Sequence, residues 1–234
     1  MSLIRSMFFS KKITPELISL HIPKTAGTSF RNILKSVYGE EQVVRLDING
    51  KEDVRLNQIL YRETQLPKAK VIHGHFTMEL IENKFKLPPD VKVITWLRDP
   101  VKRVVSNYFY LESRLKEILD EENNNLNILS KMQRTLIEYA RSENSRNRQT
   151  KFVKGRSLED FDFVGIQEHF ESDIGRLSKV LGWKELPNIL YHNKTPELKA
   201  DISNEILDEI YELNKEDTEL YNKAIELRNK LMND

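Results

Sequence analysis

The chain has 234 residues, 39% hydrophobic and 31% charged, so it can bury a sizeable core and is not a disordered segment. Its 37 Lys and Arg against 36 Asp and Glu leave a formal net charge of +1, so no global field points to nucleic acid or an anionic membrane surface, and any anion site has to be local. It has no cysteine, which excludes disulfides, thiolate nucleophiles and Cys-based metal sites and favours a reducing, cytoplasmic setting.

A single domain over residues 1–234 is expected at this length. No apolar run is long enough to span a bilayer, and "MFF" near the start is too short for a signal segment. Residues 17–22 read as a first strand, followed by a helix over about 28–37 with Phe30, Ile33, Leu34 and Val37 at helical spacing. "QVVRLDI" (42–48) suits a second strand, and "EDVRLNQILYRETQ" (52–65) is predicted helical. "KAKVIHGHF" (68–76) reads as a strand running into a Gly turn. "TMELIENKF" (77–85) reads as a short helix with Thr77 as its N-cap. "VKVITWL" (91–97), β-branched and apolar, is the clearest strand. A helix then starts at Pro100, capped by Asp99, with Val101, Val104, Val105, Tyr108 and Leu111 along one face.

Around 115–157 the pattern changes to a helical and polar insertion. Its Asn-rich runs "DEENNNLN" and "RSENSRNRQT" flank a predicted helix, "ILSKMQRTLIEYA" (128–140), and residues 120–150 are expected to be mobile. Residues 161–183 start as a strand and become a helix. "YHNKTPELKADIS" reads as a loop, and 202–232 as mostly helical. Strands alternating with helices predict an α/β fold, a mostly parallel sheet flanked by helices, whose ligands bind beyond the carboxyl ends of the strands. Three predicted strands end in residues with chemistry: His21-Ile22-Pro23-Lys24, His73-Gly74-His75 and Arg98-Asp99-Pro100.

The turn "PKTAGTS" enters a helix, whose first N–H groups are unpaired and favour an anion. Gly27 permits a tight path, Thr25, Thr28 and Ser29 carry hydroxyl donors, and Lys24 adds a charge. The Gly-Lys-Ser/Thr ending of an ATP-binding loop is missing, which disfavours a Mg-nucleotide site; a plain turn with a solvated Lys is the bland reading. In "HGH", His73 and His75 are two residues apart and face one side of a continuing strand. They suit a general base near neutral pH, a two-His metal site lacking a convincing third ligand, or an ordinary strand end. Arg98 can grip an oxyanion with two N–H groups while Ser106, seven residues past Asp99, donates a hydroxyl from the same side of the helix. A salt bridge is the plain reading for Arg98. Asp99 before Pro100 is a cap rather than a kinase-type metal ligand.

"HIPKTAGTSF", "HGHF" and "ITWLRDPVKRVVSNYFY", in this order, resemble the sulfotransferases that use 3′-phosphoadenosine 5′-phosphosulfate (PAPS). They are most similar to the carbohydrate 2-O/6-O sulfotransferase-like group in its bacterial form. "NRQTKFVKG" (147–155) and "FVGIQEHF" (163–170) extend the resemblance, which spans about 17–195. It implies a P-loop NTPase-like fold and metal-independent, in-line transfer of a sulfuryl group from PAPS to a hydroxyl, leaving adenosine 3′,5′-bisphosphate (PAP). By this resemblance Lys24 sits near the oxygen bridging phosphate and sulfate. Backbone N–H groups of Thr25, Ala26, Gly27, Thr28 and Ser29, with the Thr28 and Ser29 hydroxyls, hold the 5′-phosphate, and Arg98 and Ser106 hold the 3′-phosphate.

His75 is the implied base, with His73 the reserve candidate or an orienting partner. Lys194 or Thr195, in "HNKTPE", would close a late loop over the nucleotide, and Arg148 and Gln149 are candidates to face cofactor or acceptor. The partner is a hydroxyl-bearing acceptor, with carbohydrate one class among sugar, lipid, small alcohol and peptide tyrosine; oligomeric state has no signature. A nucleotide phosphotransferase on a related fold and a non-catalytic nucleotide-binding module are the alternatives.

Overall fold

The computed structural model describes residues 13–121, 134–187 and 202–233. In chain order the strands and helices are β1 (Leu17–Leu20), α1 (Gly27–Tyr38), β2 (Val43–Ile48), β3 (Val54–Leu56), β4 (Ile59–Leu60), β5 (Val71–Gly74), α2 (Met78–Lys84), β6 (Lys92–Leu97), α3 (Pro100–Glu121), α4 (Leu136–Ala140), α5 (Arg148–Val153), β7 (Phe163–Ile166), α6 (Phe170–Val180), α7 (Asn204–Leu213) and α8 (Lys215–Asn233). The sheet order is β4-β3-β2-β5-β1-β6-β7. β2, β5, β1, β6 and β7 run parallel, and β3 and β4 add an antiparallel edge.

The parallel strands are apolar on both faces because both are covered. Leu17, Val71, Ile94, Trp96 and Phe163 pack with α1 and α6 through Phe30, Ile33, Leu34, Phe170, Ile174 and Leu177. Ile18, Leu20, Leu46, Ile72 and Val93 pack on the other face with Met78 and Ile81 of α2, Val153 of α5 and Ala224 of α8. A third cluster joins Val104 and Val105 of α3, Leu136 and Ala140 of α4 and Ile210 of α7. The chain leaves β1 toward β2 on one side and leaves β6 toward β7 on the other, so the winding reverses between β1 and β6. In open α/β sheets the crevice beyond the carboxyl ends at such a reversal is where ligands sit.

Two predicted elements differ. Residues 52–65 form no helix. They make the β3–β4 hairpin, turned by Asn57 (φ 48°) and Gln58 (φ 72°), with Leu56 opposite Ile59. Positive φ at both turn residues matches the right-handed twist of the strands. Asn57 is held there, since its side-chain Oδ1 accepts from the Arg45 N–H (2.9 Å) and its own N–H donates to the Arg45 carbonyl (2.8 Å). The helix expected over 128–140 begins, in its described part, only at Leu136. A capping box sets that start, with Thr135 accepting from the Glu138 N–H and Glu138 accepting from the Thr135 N–H.

Residues 145–150, expected within a mobile stretch, are tied down. The Ser145 carbonyl accepts from Arg103, the Asn147 N–H donates to Asn214, and Asp217 accepts from the Gln149 and Thr150 N–H groups. Residues 122–133 lie outside the described residues. Among the described residues no helix is long and apolar enough to cross a membrane.

Candidate active site

The turn after β1 is held in an unusual backbone shape. Lys24 (φ 73°) and Ala26 (φ 66°) both occupy the left-handed region. That conformation costs roughly 1–2 kcal/mol per non-glycine residue, so it persists only where the surroundings enforce it. Thr25, buried between them, donates its hydroxyl to the Ile22 carbonyl (2.8 Å). Its side chain thus braces the loop, and what it can offer an anion is its backbone N–H. Ala26 is the N-cap of α1, and no side chain caps that helix end. A left-handed residue followed by helical ones turns successive N–H groups to one side, the geometry of an anion-holding nest. Thr28 is exposed and Ser29 buried. Gly27 serves differently from the expected tight path. A Cβ there would overlap the His21 imidazole.

His21 is the centre of a histidine stack. Its ring lies 4.9 Å from that of His73 and 4.3 Å from that of His75, centroid to centroid. His73 is buried on β5, and its Nδ1 sits 2.9 Å from the Ser19 hydroxyl. Burial, with the neighbouring His75, Arg31 and Arg45 charges, lowers its pKa to about 3, and Asp47 opposes this only partly. His73 is therefore a neutral core residue at any ordinary pH. His21 is likewise lowered, first by burial and then by His73 and His75.

His75 is in a different situation. It lies just past β5 with its side chain 29% exposed, and its Nδ1 is 3.0 Å from Asp47 Oδ1. The same oxygen accepts from the His75 backbone N–H (3.0 Å), and Asp47 Oδ2 accepts from Arg45 Nε (2.7 Å). Burial raises the Asp47 pKa. The hydrogen bonds from His75 and the His75 and Arg45 charges outweigh that and hold the carboxyl at about 2. Gly74 separates the two histidines because an added Cβ would overlap the Leu46 carbonyl of β2.

Arg98, after β6, reaches across to β1. Its Nη1 donates to the Lys24 carbonyl (3.2 Å), and its Nε is shielded from water with no partner. Gln149 clamps the Arg98 backbone on both sides. Its Oε1 accepts from the Arg98 N–H and its Nε2 donates to the Arg98 carbonyl, each at 2.9 Å. Lys24 is half-buried, and its pKa is lowered by that burial and by the Arg98 charge. Its ammonium lies 4.1 Å from the centroid of the exposed Tyr110 ring on α3. Asp99 caps α3 as expected, accepting from the Lys102 N–H (2.8 Å), and Ser106 is buried on that helix.

The loop after β1, the end of β5 and the end of β6 thus stand together at the carboxyl edge of the sheet. Arg98 bonds directly to the Lys24 backbone, and His75 reaches the loop through His21. Lys194 and Thr195 lie outside the described residues. Gln149, a candidate to face a ligand, faces backbone instead.

Asp47 and Arg45 are site residues that the sequence does not single out, and His21, noted only as part of a strand end, is given no role there. Asp47 is 28 residues from His75 and meets it only because β2 pairs with β5. Lys24, the partnerless Nε of Arg98, an uncapped helix end and a half-buried imidazole braced by a carboxylate can hold an anion and accept a proton. Among the described residues no group of three or more His, Asp or Glu could hold a metal ion.

A model of the sulfotransferase family matches residues 7–224. Among solved structures the chain is similar to a sulfotransferase from Alicyclobacillus acidocaldarius, at 15% identity over 91% of this chain and 96% of that one with a TM-score of 0.47. It is also similar to mouse sulfotransferase SULT7A1 complexed with PAP, at 14% identity over 86% of this chain and 64% of that one with a TM-score of 0.40. No curated protein sequence matches. With a family match running over most of its length, from just before β1 to within α8, the chain belongs to the sulfotransferase family.

Proposed function

We propose that the protein transfers a sulfuryl group from PAPS to an acceptor hydroxyl, with Lys24, Arg98 and His75 as the principal site residues. The observation that carries this reading is the convergence of Lys24 and Arg98 on the uncapped start of α1. Burial and mutual repulsion lower Lys24, and the Arg98 Nε has no partner, which is the state of a cradle built for an anion. PAPS supplies a sulfur centre and a 5′-phosphate leaving group.

The N–H groups from Thr25 to Ser29 hold that phosphate, and Lys24 neutralises the charge that grows on the bridging oxygen. Arg98 and the buried Ser106 form the grip for the 3′-phosphate. His75 takes the acceptor proton at Nε2, a role typically worth about 10²–10⁴ in rate. His73, buried and neutral with pKa about 3, supports the stack and is not the base. The acceptor hydroxyl approaches from the side of His75, and carbohydrate is one class that could supply it.

The test is incubation of the protein with ³⁵S-labelled PAPS and fractionated extract of the source cells. Label should pass to an acceptor, and Lys24→Ala and His75→Ala, both folded by circular dichroism, should each lose most of the transfer. Near-normal turnover in both variants overturns the mechanism.

A further inference from the structure

We propose that Asp47 is the positioning residue for His75: it fixes the imidazole as the Nδ1–H tautomer and presents a bare Nε2 to the acceptor hydroxyl. This rests on the reading of His75 as the base. A neutral imidazole can accept a proton only at the nitrogen that carries none, so a base needs its other nitrogen tied to an acceptor. His75 Nδ1 has two polar neighbours, Asp47 Oδ1 at 3.0 Å and Arg45 Nη2 at 3.4 Å. A guanidinium can only donate and an ionised carboxylate can only accept, and the carboxylate is nearer. The proton therefore sits on Nδ1, pointing at Asp47, and Arg45 serves the carboxylate rather than the ring.

The bracing is unusually complete. Asp47 Oδ1 accepts from both the ring and the backbone N–H of His75, at 3.0 Å each, so one oxygen holds the residue at two points. Asp47 Oδ2 is held by Arg45 Nε at 2.7 Å, which stops the carboxylate from turning away. The His21 ring covers His75 at 4.3 Å and opposes a ring flip. The charged and titratable groups around His75 are His21 just past β1, Arg45 and Asp47 from β2 and His73 from β5, and Asp47 is the one anion among them. When the acceptor oxygen bonds to sulfur, the bond from sulfur to the bridging oxygen breaks and its electron pair leaves on the 5′-phosphate. The acceptor proton moves to Nε2, and the imidazolium so formed donates to a carboxylate already in place.

The experiment is ¹⁵N–¹H NMR of the histidine side chains in the full chain loaded with PAP, with His75 identified by the signal lost in His75→Gln. The wild type should show His75 protonated at Nδ1. In Asp47→Asn the amide nitrogen would face the Arg45 Nε–H, donor against donor, so the side chain turns and the Nε2–H form should gain. PAP affinity by calorimetry should stay within about twofold, and ³⁵S transfer should fall on the order of 10²-fold with the KM for PAPS unchanged. A wild-type His75 protonated at Nε2, or a tautomer and turnover both unmoved in Asp47→Asn, overturns the proposal. Should Asp47→Asn not fold, the wild-type tautomer alone decides. Full activity in His75→Ala would instead remove the base assignment and leave the tautomer measurement standing.

Discussion

The Arg98 Nε is shielded from water and meets no partner, while Nη1 already bonds the Lys24 carbonyl. A phosphate arriving there would find desolvated donors, and hydrogen bonds to charged groups contribute about 1.5–3 kcal/mol. Arg98→Ala should therefore weaken PAP binding about 10–100-fold by calorimetry; unchanged affinity would remove Arg98 from the 3′-phosphate grip. His73 makes a prediction of a different kind. Its pKa of about 3 in the folded chain lies below the ordinary value near 6.5, so unfolding lets the ring take up a proton between those limits. The stability it contributes is complete above about pH 6.5 and lost as the pH falls toward 3, reaching roughly 2 kcal/mol at pH 5. Urea unfolding at pH 7 and pH 5 should show this loss, and His73→Gln should reduce it.

The site depends on two elements whose backbones are pinned by single residues. Gly74 lets β5 lie against the Leu46 carbonyl of β2, the contact that carries Asp47 to His75. Gly74→Ala should cost at least about 1–3 kcal/mol, the usual penalty of overpacking, because the clash is with backbone and not with a side chain that can swing. Thermal melting would measure it. Gln149 does the same service for β6. Gln149→Leu would leave the half-buried Arg98 N–H and carbonyl without their side-chain partners, at up to about 1–3 kcal/mol for each group that water cannot reach. PAP affinity should fall as well, since Arg98 would lose its fixed starting point. A variant that loses stability yet binds PAP normally would show that Gln149 has no part in placing Arg98.

At the scale of the molecule, the parallel strands were legible because apolar runs such as Val93–Leu97 are buried on both faces, and the helix starts at Thr77 and Asp99 were legible from cap chemistry. The β3–β4 hairpin was not, because its turn is Asn57-Gln58, without the glycine that usually marks such a turn. Lys24, Arg98 and His75 stood out by position at strand ends. Asp47 could not, because its meaning comes from a strand neighbour far off in sequence.

The role of the C-terminal helix was equally hidden. Asp217 of α8 accepts the Gln149 and Thr150 N–H groups at one end, and Arg228 bonds the buried Asp173 of α6 (2.8 Å) at the other. Asp173 also accepts from the Ile166 N–H at the end of β7 (2.9 Å). One helix thus holds the segment that clamps Arg98 and the outermost parallel strand. Removing Asp173 takes the carboxylate from the buried Arg228, so Asp173→Ala should destabilise by about 3–5 kcal/mol in urea unfolding, whereas Arg228→Met should cost less, because Arg176 Nη1 still lies 3.4 Å from Asp173 Oδ1. The double variant should lose less than the sum, because the two charges leave together, yet remain below wild type, because the Ile166 N–H stays unpaired. Strict additivity would show that Asp173 and Arg228 are not coupled.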